Sequence, residues 1–357
     1  MRILIDIGHP AHVHYFKNFI KIMESKGHSY LITARDKDVT LKLLDSYGFH
    51  YICTGKNLNG VLGKAWSIIR NDFKILMASL KFKPDLFLSF NLPFPAHVGF
   101  ILLKPVIGIS DTEHARLNNI ITNPFTHIIL TSSSYYKNLG VKQIRFNSFI
   151  ELAYLKPNYF KPDQSIIQRL NFYNHKKIVL FRYISWEAYH DIEQTGISDS
   201  IKLQLIKIFT QNGYNILISA EGALPSDLEQ YRIKIEPEKM HDVLNVIDFF
   251  IGESGTMATE AALLGIPSIY VNSLDAGVFH EEVKYKLLYS YRNPNNLIKD
   301  ISELLKNPNL KEIHQKNRET MLKDKIDVTA FLVWFIENYP ESKKTMKKDS
   351  NYQYNFK

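Results

Sequence analysis

Ser254, Gly255, Thr256 and Glu260 are the residues whose types and spacing speak most directly of chemistry. They lie in DFFIGESGTMATEAALLGIPSIYVN, residues 248–272, where an apolar run ends in Gly252 and Ser254-Gly255-Thr256 open a helix-like stretch. Gly265-Ile266-Pro267 stops that stretch before a second apolar strand, Ser268–Val271. The first amides of a helix lack intrahelical acceptors and sit at the positive end of its dipole, so a small-residue turn feeding a helix is an anion site. Glu260 adds a carboxylate able to accept hydrogen bonds from neutral hydroxyls such as those of a ribose. Together they read as a nucleotide-diphosphate pocket. A plain capped helix is the simpler alternative. A serine-hydrolase elbow fails, because Thr256 stands where G-x-S-x-G needs its closing glycine.

Five further groups could do chemistry. His9-Pro10-Ala11-His12-Val13-His14 holds three histidines in six residues. No neighbouring Cys, Asp or Glu completes a tetrahedral set, so no metal is expected. His9 and His12 follow the first strand, where an imidazole serves as general base or phosphate contact near neutral pH. Asp111 and Glu113 in Ser110-Asp111-Thr112-Glu113-His114 form an acid/base cluster after another strand, and Asn91 to His97 after a third would line an acceptor side. Arg182, with Trp186 and Glu187 behind it, is placed to offset charge on a departing diphosphate. His241, in Met240-His241-Asp242, is a nucleobase-edge candidate. Each group also has a plainer reading as turn, solvated loop or surface ion pair. Asp36-Lys37-Asp38 matches a D-x-D pattern that three-residue chance explains, and no G-x-G-x-x-G follows the first strand, so redox dinucleotide binding has little support.

The elements that must position these residues recur as strand, turn and helix. Arg2–Ile7 reads as a strand, Val13–Lys26 as a helix and Ser29–Thr33 as the next strand. Val39–Tyr47, Tyr51–Cys53, a long helix over about Leu62–Lys81, and strands Leu86–Ser89, Val106–Ile109 and His127–Thr131 follow. That helix carries an apolar stripe including Trp66, Ile69, Phe73, Met77 and Leu80, with interspersed lysines. Core packing is its default, and a membrane-surface helix its alternative. Phe149 to His175 has prolines at 157 and 162 and little periodicity, marking the connection between domains. The rhythm restarts with Lys177–Phe181, Ser200–Asn212, Asn215–Ser219 and Lys239–Val246, and ends with helices over Asn296–Lys306, Leu310–Leu322 and Asp327–Asn338. Alternating strands and helices predict an α/β protein with parallel sheets covered on both faces. Two doubly wound, Rossmann-like domains facing an interdomain cleft fit the GT-B architecture. The expected division is 1–155, 156–325, a helix at 326–339 returning to the first domain, and a disordered basic tail at 340–357.

Bulk composition agrees. A length of 357 residues suits two domains, and 45% hydrophobic with 13% aromatic residues fills their cores. The single cysteine, Cys53, excludes a disulfide framework and fits a reducing compartment. The formal charge is +8, of which the five lysines and two acids from Glu341 to Lys357 supply +3. The remainder suits an anionic small substrate or a weak attraction to acidic lipid and does not call for nucleic acid. The N-terminus has no signal-peptide pattern and no stretch is long enough to span a bilayer, so a cytoplasmic location is expected, with or without peripheral contact at the inner face of the membrane.

The stretches MRILIDIGHPAHVHYFKNFI, HSYLITARDKD, SDTEHA, FIELAYLKP and IGESGTMATEAALLGIPSI resemble an uncharacterised prokaryotic family described as predicted glycosyltransferases of the GT-B superfamily. The second half is also similar to UDP-N-acetylglucosamine 2-epimerase and to the lipid-linked N-acetylglucosaminyltransferase of peptidoglycan synthesis. In the epimerase a Ser-Gly pair meets the diphosphate and a glutamate six residues after the Ser binds ribose, a spacing matched by Ser254, Gly255 and Glu260. The resemblance to the epimerase's acidic segment points at Asp111 and Glu113, without its arginine-bearing pattern. The expectation is a metal-independent glycosyltransferase, without cofactor, taking sugar from a UDP-linked donor to a saccharide or lipid-linked acceptor in cell-envelope or polysaccharide synthesis. Its alternatives are a sugar-nucleotide 2-epimerase and a non-catalytic nucleotide-sugar-binding protein.

Overall fold

Short runs of Val, Ile, Leu and Phe buried on both faces make parallel strands, and the chain sorts them into two sheets. A computed structural model of the protein describes residues 1–56, 58, 60–170, 176–184 and 196–357; Trp186 and Glu187 lie outside the described residues. The chain divides into two compact units, Met1–Tyr159 with Lys325–Lys357, and Phe160–Asp324.

The first unit holds β1 (Arg2–Ile7), β2 (Ser29–Arg35), β3 (Tyr51–Gly55), β4 (Leu86–Ser89), β5 (Val106–Ser110), β6 (Ile128–Ser132) and β7 (Gln143–Phe146). They form one sheet in the order β3-β2-β1-β4-β5-β6-β7, each pair parallel. The second unit holds β8 (Ile178–Tyr183), β9 (Asn215–Ala220), β10 (Phe249–Gly252), β11 (Ser268–Val271) and β12 (Leu288–Tyr291) in the order β12-β11-β10-β8-β9, again all parallel. Chain direction across the sheet reverses between β1 and β4 in the first unit and between β8 and β10 in the second. Open α/β sheets bind ligands outside the carboxyl ends of the strands at such switch points.

In the first unit Leu4, Phe87 and Val106 pack against Ile75, Phe94 and Val98 of the covering helices. In the second, Val179, Phe181, Phe249 and Ile251 meet Leu205 and Phe209 of the Asp199–Gln211 helix. The FIELAYLKP segment, expected within a connection of little periodicity, includes the buried Leu152–Leu155 turn of helix. Glu151 there accepts a hydrogen bond from the Tyr15 hydroxyl at 3.3 Å.

Two expectations are corrected. The apolar stripe on the long helix, Gly60–Phe82, also includes Leu62 and Leu76, and of its described side chains only Leu76 packs on the core. Trp66, Ile69, Phe73, Met77 and Leu80 are exposed, while Ser67, Asn71, Ile75 and Ser79 are buried. Periodicity measures a stripe and does not say which side faces the sheet. The tail is likewise not disordered. Glu341–Lys348 is helical and Ser350–Phe356 a 3₁₀ turn. Met346 is buried, and Trp334 of the Val328–Glu337 helix stacks on Tyr352 at 4.8 Å and lies 5.3 Å from the Phe356 ring. The lysines made this segment look solvated, but its aromatic residues supply enough apolar surface to dock it. Deleting residues 341–357 is therefore expected to cost about 3 kcal/mol or more, read as a lowered thermal midpoint. An unchanged midpoint would mean the tail contributes no packing.

Candidate functional site

At the second switch point β10 ends in Gly252, beside Arg182 of β8. A Cβ on Gly252 would come within 2.8 Å of the Arg182 Cβ, so only glycine lets the two strand ends lie this close. The Gly255–Leu263 helix starts two residues on, with Ser254 as its N-cap in extended conformation and its hydroxyl accepting from the Met257 N–H at 3.5 Å. Ser254, Gly255 and Thr256 are all half-buried. Gly255 is held against Phe279, whose ring would lie 2.7 Å from an added Cβ. Among the first amides of this helix, those of Gly255 and Thr256 have no intrahelical acceptor to reach, so backbone donors are presented at the switch point.

Two residues singled out separately meet one turn deeper. His241 Nε2 lies 2.9 Å from Glu260 Oε1, with both side chains buried. Asp242 faces elsewhere, accepting from the Asp163 N–H at 2.9 Å. Arg182 donates from Nη1 to the Ser219 hydroxyl at 2.9 Å and pairs through Nη2 with Glu221. Its expected charge is thus already engaged, but by a carboxylate that is 44% exposed. The Arg182 side chain itself is 17% exposed, so the pair is open to solvent only on its Glu221 side.

Sequence reasoning overlooked Glu253. This carboxylate is buried and accepts the Ile184 N–H at 3.0 Å and the Ile197 N–H at 2.6 Å. Its own carbonyl accepts from Asn272 Nδ2 at 3.0 Å, so one residue holds the ends of β8, β10 and β11. Its sequence signal was a charged residue set between strand and helix where only small residues are needed.

In the first unit, His9 caps the Pro10–Ser25 helix, its Nδ1 accepting from the Ala11 N–H at 3.2 Å. The Gly8 N–H donates to His12 Nδ1 at 3.3 Å, and the His12 ring stacks on Phe90 at 4.4 Å. Each imidazole therefore carries its proton on Nε2. Burial and the neighbouring Lys37 and Arg35 cations push His9 down to about 3. Burial, then His9, Arg35 and Lys37, hold His12 well below the ordinary histidine range. A group with its accepting nitrogen engaged and so low an affinity for protons makes a poor general base. Both rings are then N–H donors, which fits the phosphate contact of the two expected roles better than the general base.

Asp111 and Glu113 follow β5, two strands along the sheet from β1, which His9 and His12 follow. Asp111 is exposed and accepts from the Thr112 hydroxyl at 2.8 Å, whereas the Glu113 side chain is buried and its carbonyl accepts from Lys137. Asn91 and His97 do not line an open surface. Asn91 Nδ2 donates to Asn123 Oδ1 at 2.8 Å and its carbonyl accepts from Asn118, while His97 pairs with Asp72 at 2.9 Å. The pairing with Asp72 raises the His97 pKa. Among the described residues no group of three or more His, Cys, Asp or Glu has the geometry to hold a metal ion.

Asp6, visible in the sequence only as an acid inside a strand, is the second residue missed. It is fully buried on β1, with Oδ1 accepting from the Thr33 hydroxyl at 2.6 Å and Oδ2 without a hydrogen-bond partner among the described residues. Arg35, whose Nη2 donates to the Gly8 carbonyl at 3.1 Å, is close enough to act on it. Burial raises the Asp6 pKa from 3.8 to about 6, against the lowering effects of Thr33 and Arg35.

A model of the family described as "Protein of unknown function (DUF354)" matches residues 1–339. The chain belongs to this family. The Methanocaldococcus jannaschii protein named Uncharacterized protein MJ0665 is 28% identical over 276 residues, 74% of this chain and 80% of that one. Among solved structures, the UDP-GlcNAc 2-epimerase from Neisseria meningitidis bound to UDP-GlcNAc superposes with a TM-score of 0.63 at 14% identity, covering 88% of this chain and 94% of that one. The spinosyn rhamnosyltransferase SpnG superposes with a TM-score of 0.60 at 14% identity, over 95% and 100% of the two chains. At such identities the likeness is one of fold, and the DUF354 chain has the GT-B fold of two parallel-sheet α/β domains.

The raised pKa of Asp6 carries a stability consequence for this family member. Between about pH 4 and 6 the folded chain keeps a proton that the unfolded chain has lost, so stability falls as pH rises through that window. The loss is about 3 kcal/mol, at ~1.4 kcal/mol per pKa unit. Asp6→Asn, which keeps the bond from Thr33 and cannot ionise, is expected to raise the unfolding midpoint at pH 8 by roughly several degrees and leave it unchanged near pH 4. Equal shifts at both pH values would assign the effect to packing.

Proposed function

We propose that the protein is a glycosyltransferase that takes a sugar from a nucleotide-diphosphate donor, UDP-linked, and passes it to a saccharide or lipid-linked acceptor in cell-envelope or polysaccharide synthesis. The observation that carries this is the helix N-terminus capped by Ser254 at the switch point of the second sheet, with the buried His241–Glu260 pair one turn deeper. Further support is the shared fold with an epimerase bound to UDP-GlcNAc and with a rhamnosyltransferase.

In this reading the amides of Gly255 and Thr256, with the Ser254 and Thr256 hydroxyls, hold the diphosphate. The His241–Glu260 pair meets the ribose, where a hydroxyl exchanges into a hydrogen-bond arrangement that already exists. Arg182 leaves Glu221 to offset charge as the diphosphate departs, the electrostatic task that a divalent cation performs elsewhere. His9 and His12 present N–H donors to donor or acceptor oxygens. Asp111, with its exposed carboxylate, takes the proton from the acceptor hydroxyl as the new glycosidic bond forms and the bond from the anomeric carbon to the diphosphate oxygen breaks.

Incubation with UDP-, GDP- and dTDP-sugars, with and without envelope lipid, tests the proposal. Nucleoside diphosphate released only when acceptor is present is the expected result. A sugar stereocentre altered without acceptor would make the protein an epimerase, and UDP binding without turnover a binding protein. By calorimetry Glu260→Gln is expected to weaken UDP binding about tenfold, the worth of one hydrogen bond to a charged group. Unchanged affinity removes the carboxylate from the ribose site.

A further inference from the structure

The Gly60–Phe82 helix wears its amphipathicity inside out. The face turned to the protein carries Ser67, Asn71, Ile75 and Ser79, all buried, with Ile68 and Leu76 packed at its edge. The face turned to water carries Trp66, Ile69, Phe73, Met77 and Leu80, each 51–62% exposed and spaced three or four residues apart. An isolated exposed apolar side chain needs no explanation, but a five-member ladder does. It continues onto the neighbouring elements. The Pro93–Ile101 helix packs beside the long helix, and the Arg116–Thr122 helix packs beside that one. They expose Phe100 and Ile101, and Leu117 and Ile120, and Leu103 in the turn after the middle helix is 88% exposed.

Charge decides what covers this surface. From Lys56 to Lys104 the chain holds seven Lys or Arg against Asp72 and Asp85 alone. Asp72 is paired with His97, and Asp85 lies 3.8 Å from Arg2. Lys74 and Lys81 are exposed along the helix that bears the ladder, and Lys83 is exposed just after it. Two copies meeting on this face would set those cations against each other. An acidic bilayer takes up both features, its acyl boundary accepting the apolar ladder while its headgroups attract the lysines. Among the described residues no helix is long and apolar enough to cross a membrane, so the contact is one of surface insertion.

We infer that the outer faces of these three helices form a docking surface for anionic phospholipid, which seats the protein on a membrane. The inference does not rest on sugar transfer, and its test does not read it. The full chain is sedimented with phosphatidylcholine vesicles, with and without phosphatidylglycerol, at low and high salt. Binding is expected only with phosphatidylglycerol, weakened by salt, with a blue shift of tryptophan emission that Trp66→Phe removes. Ile69→Glu with Phe73→Glu is expected to weaken vesicle binding at least about tenfold without lowering the thermal midpoint, since both side chains are exposed. Lys81→Glu with Lys83→Glu is expected to weaken it through charge alone. Absence of binding to acidic vesicles overturns the inference. So does undiminished binding by the Ile69/Phe73 variant, which would leave only diffuse attraction. A dimer by light scattering that the same variant dissolves would make this face a contact between copies and overturn it as well.

Discussion

The second unit depends on a buried carboxylate. Glu253 sits where β10 turns into the helix that follows, and taking its charge out of water costs several kcal/mol unless polar partners replace the lost hydration. They are backbone N–H groups from Ile184 and Ile197, with Asn272 holding the same residue through its carbonyl. These groups belong to chain ends that must converge if the carboxyl edge of the sheet is to present one corner. The helix cap at Ser254 and the close approach of Gly252 to Arg182 follow from that convergence. Pre-organisation of this strand-end corner is thus bound up with the stability of the unit.

The first unit resolves the same problem differently. Its carboxyl edge gathers imidazoles that are kept neutral and an acid whose pKa burial raises to about 6, all close to the Arg35 guanidinium. The edge is a place where ionisation is discouraged and hydrogen-bond donors are favoured. Donors suit sugar hydroxyls and phosphate oxygens, and neutral ones bind them without the desolvation cost of a full charge.

Central strands were legible because a fully buried parallel strand is an apolar run and nothing else. The edge strands β7 (QIRF) and β12 (LYSY) were not, since half-exposed residues there carry no such run. The cap at Ser254 was legible from small residues before a helix. That His241 reaches Glu260 was not, because their contact depends on how two helices pack rather than on a spacing along either. Asp6 stood out as an acid in an apolar strand, yet its behaviour is set by Thr33 and Arg35, which arrive only when β2 pairs with β1. The ladder from Trp66 to Leu80 had a clear period, and only the packed sheet could tell which side of it was outward.

The first unit is made from the two ends of the described chain. Tyr159, where the chain leaves it, donates to the carboxylate of Asp327, just after the chain returns, at 2.9 Å. Glu337 near the far end pairs with Lys26 and His28 near the beginning. During synthesis the sheet from β1 to β7 is translated early but stays without its closing helix until the whole second unit has left the ribosome. At roughly 5–20 residues per second that is an interval of about ten seconds or more. The nascent first unit must survive that interval with the apolar groove for Phe331 and Phe335 uncovered, which makes it the stage of biogenesis at which a chaperone has most to protect.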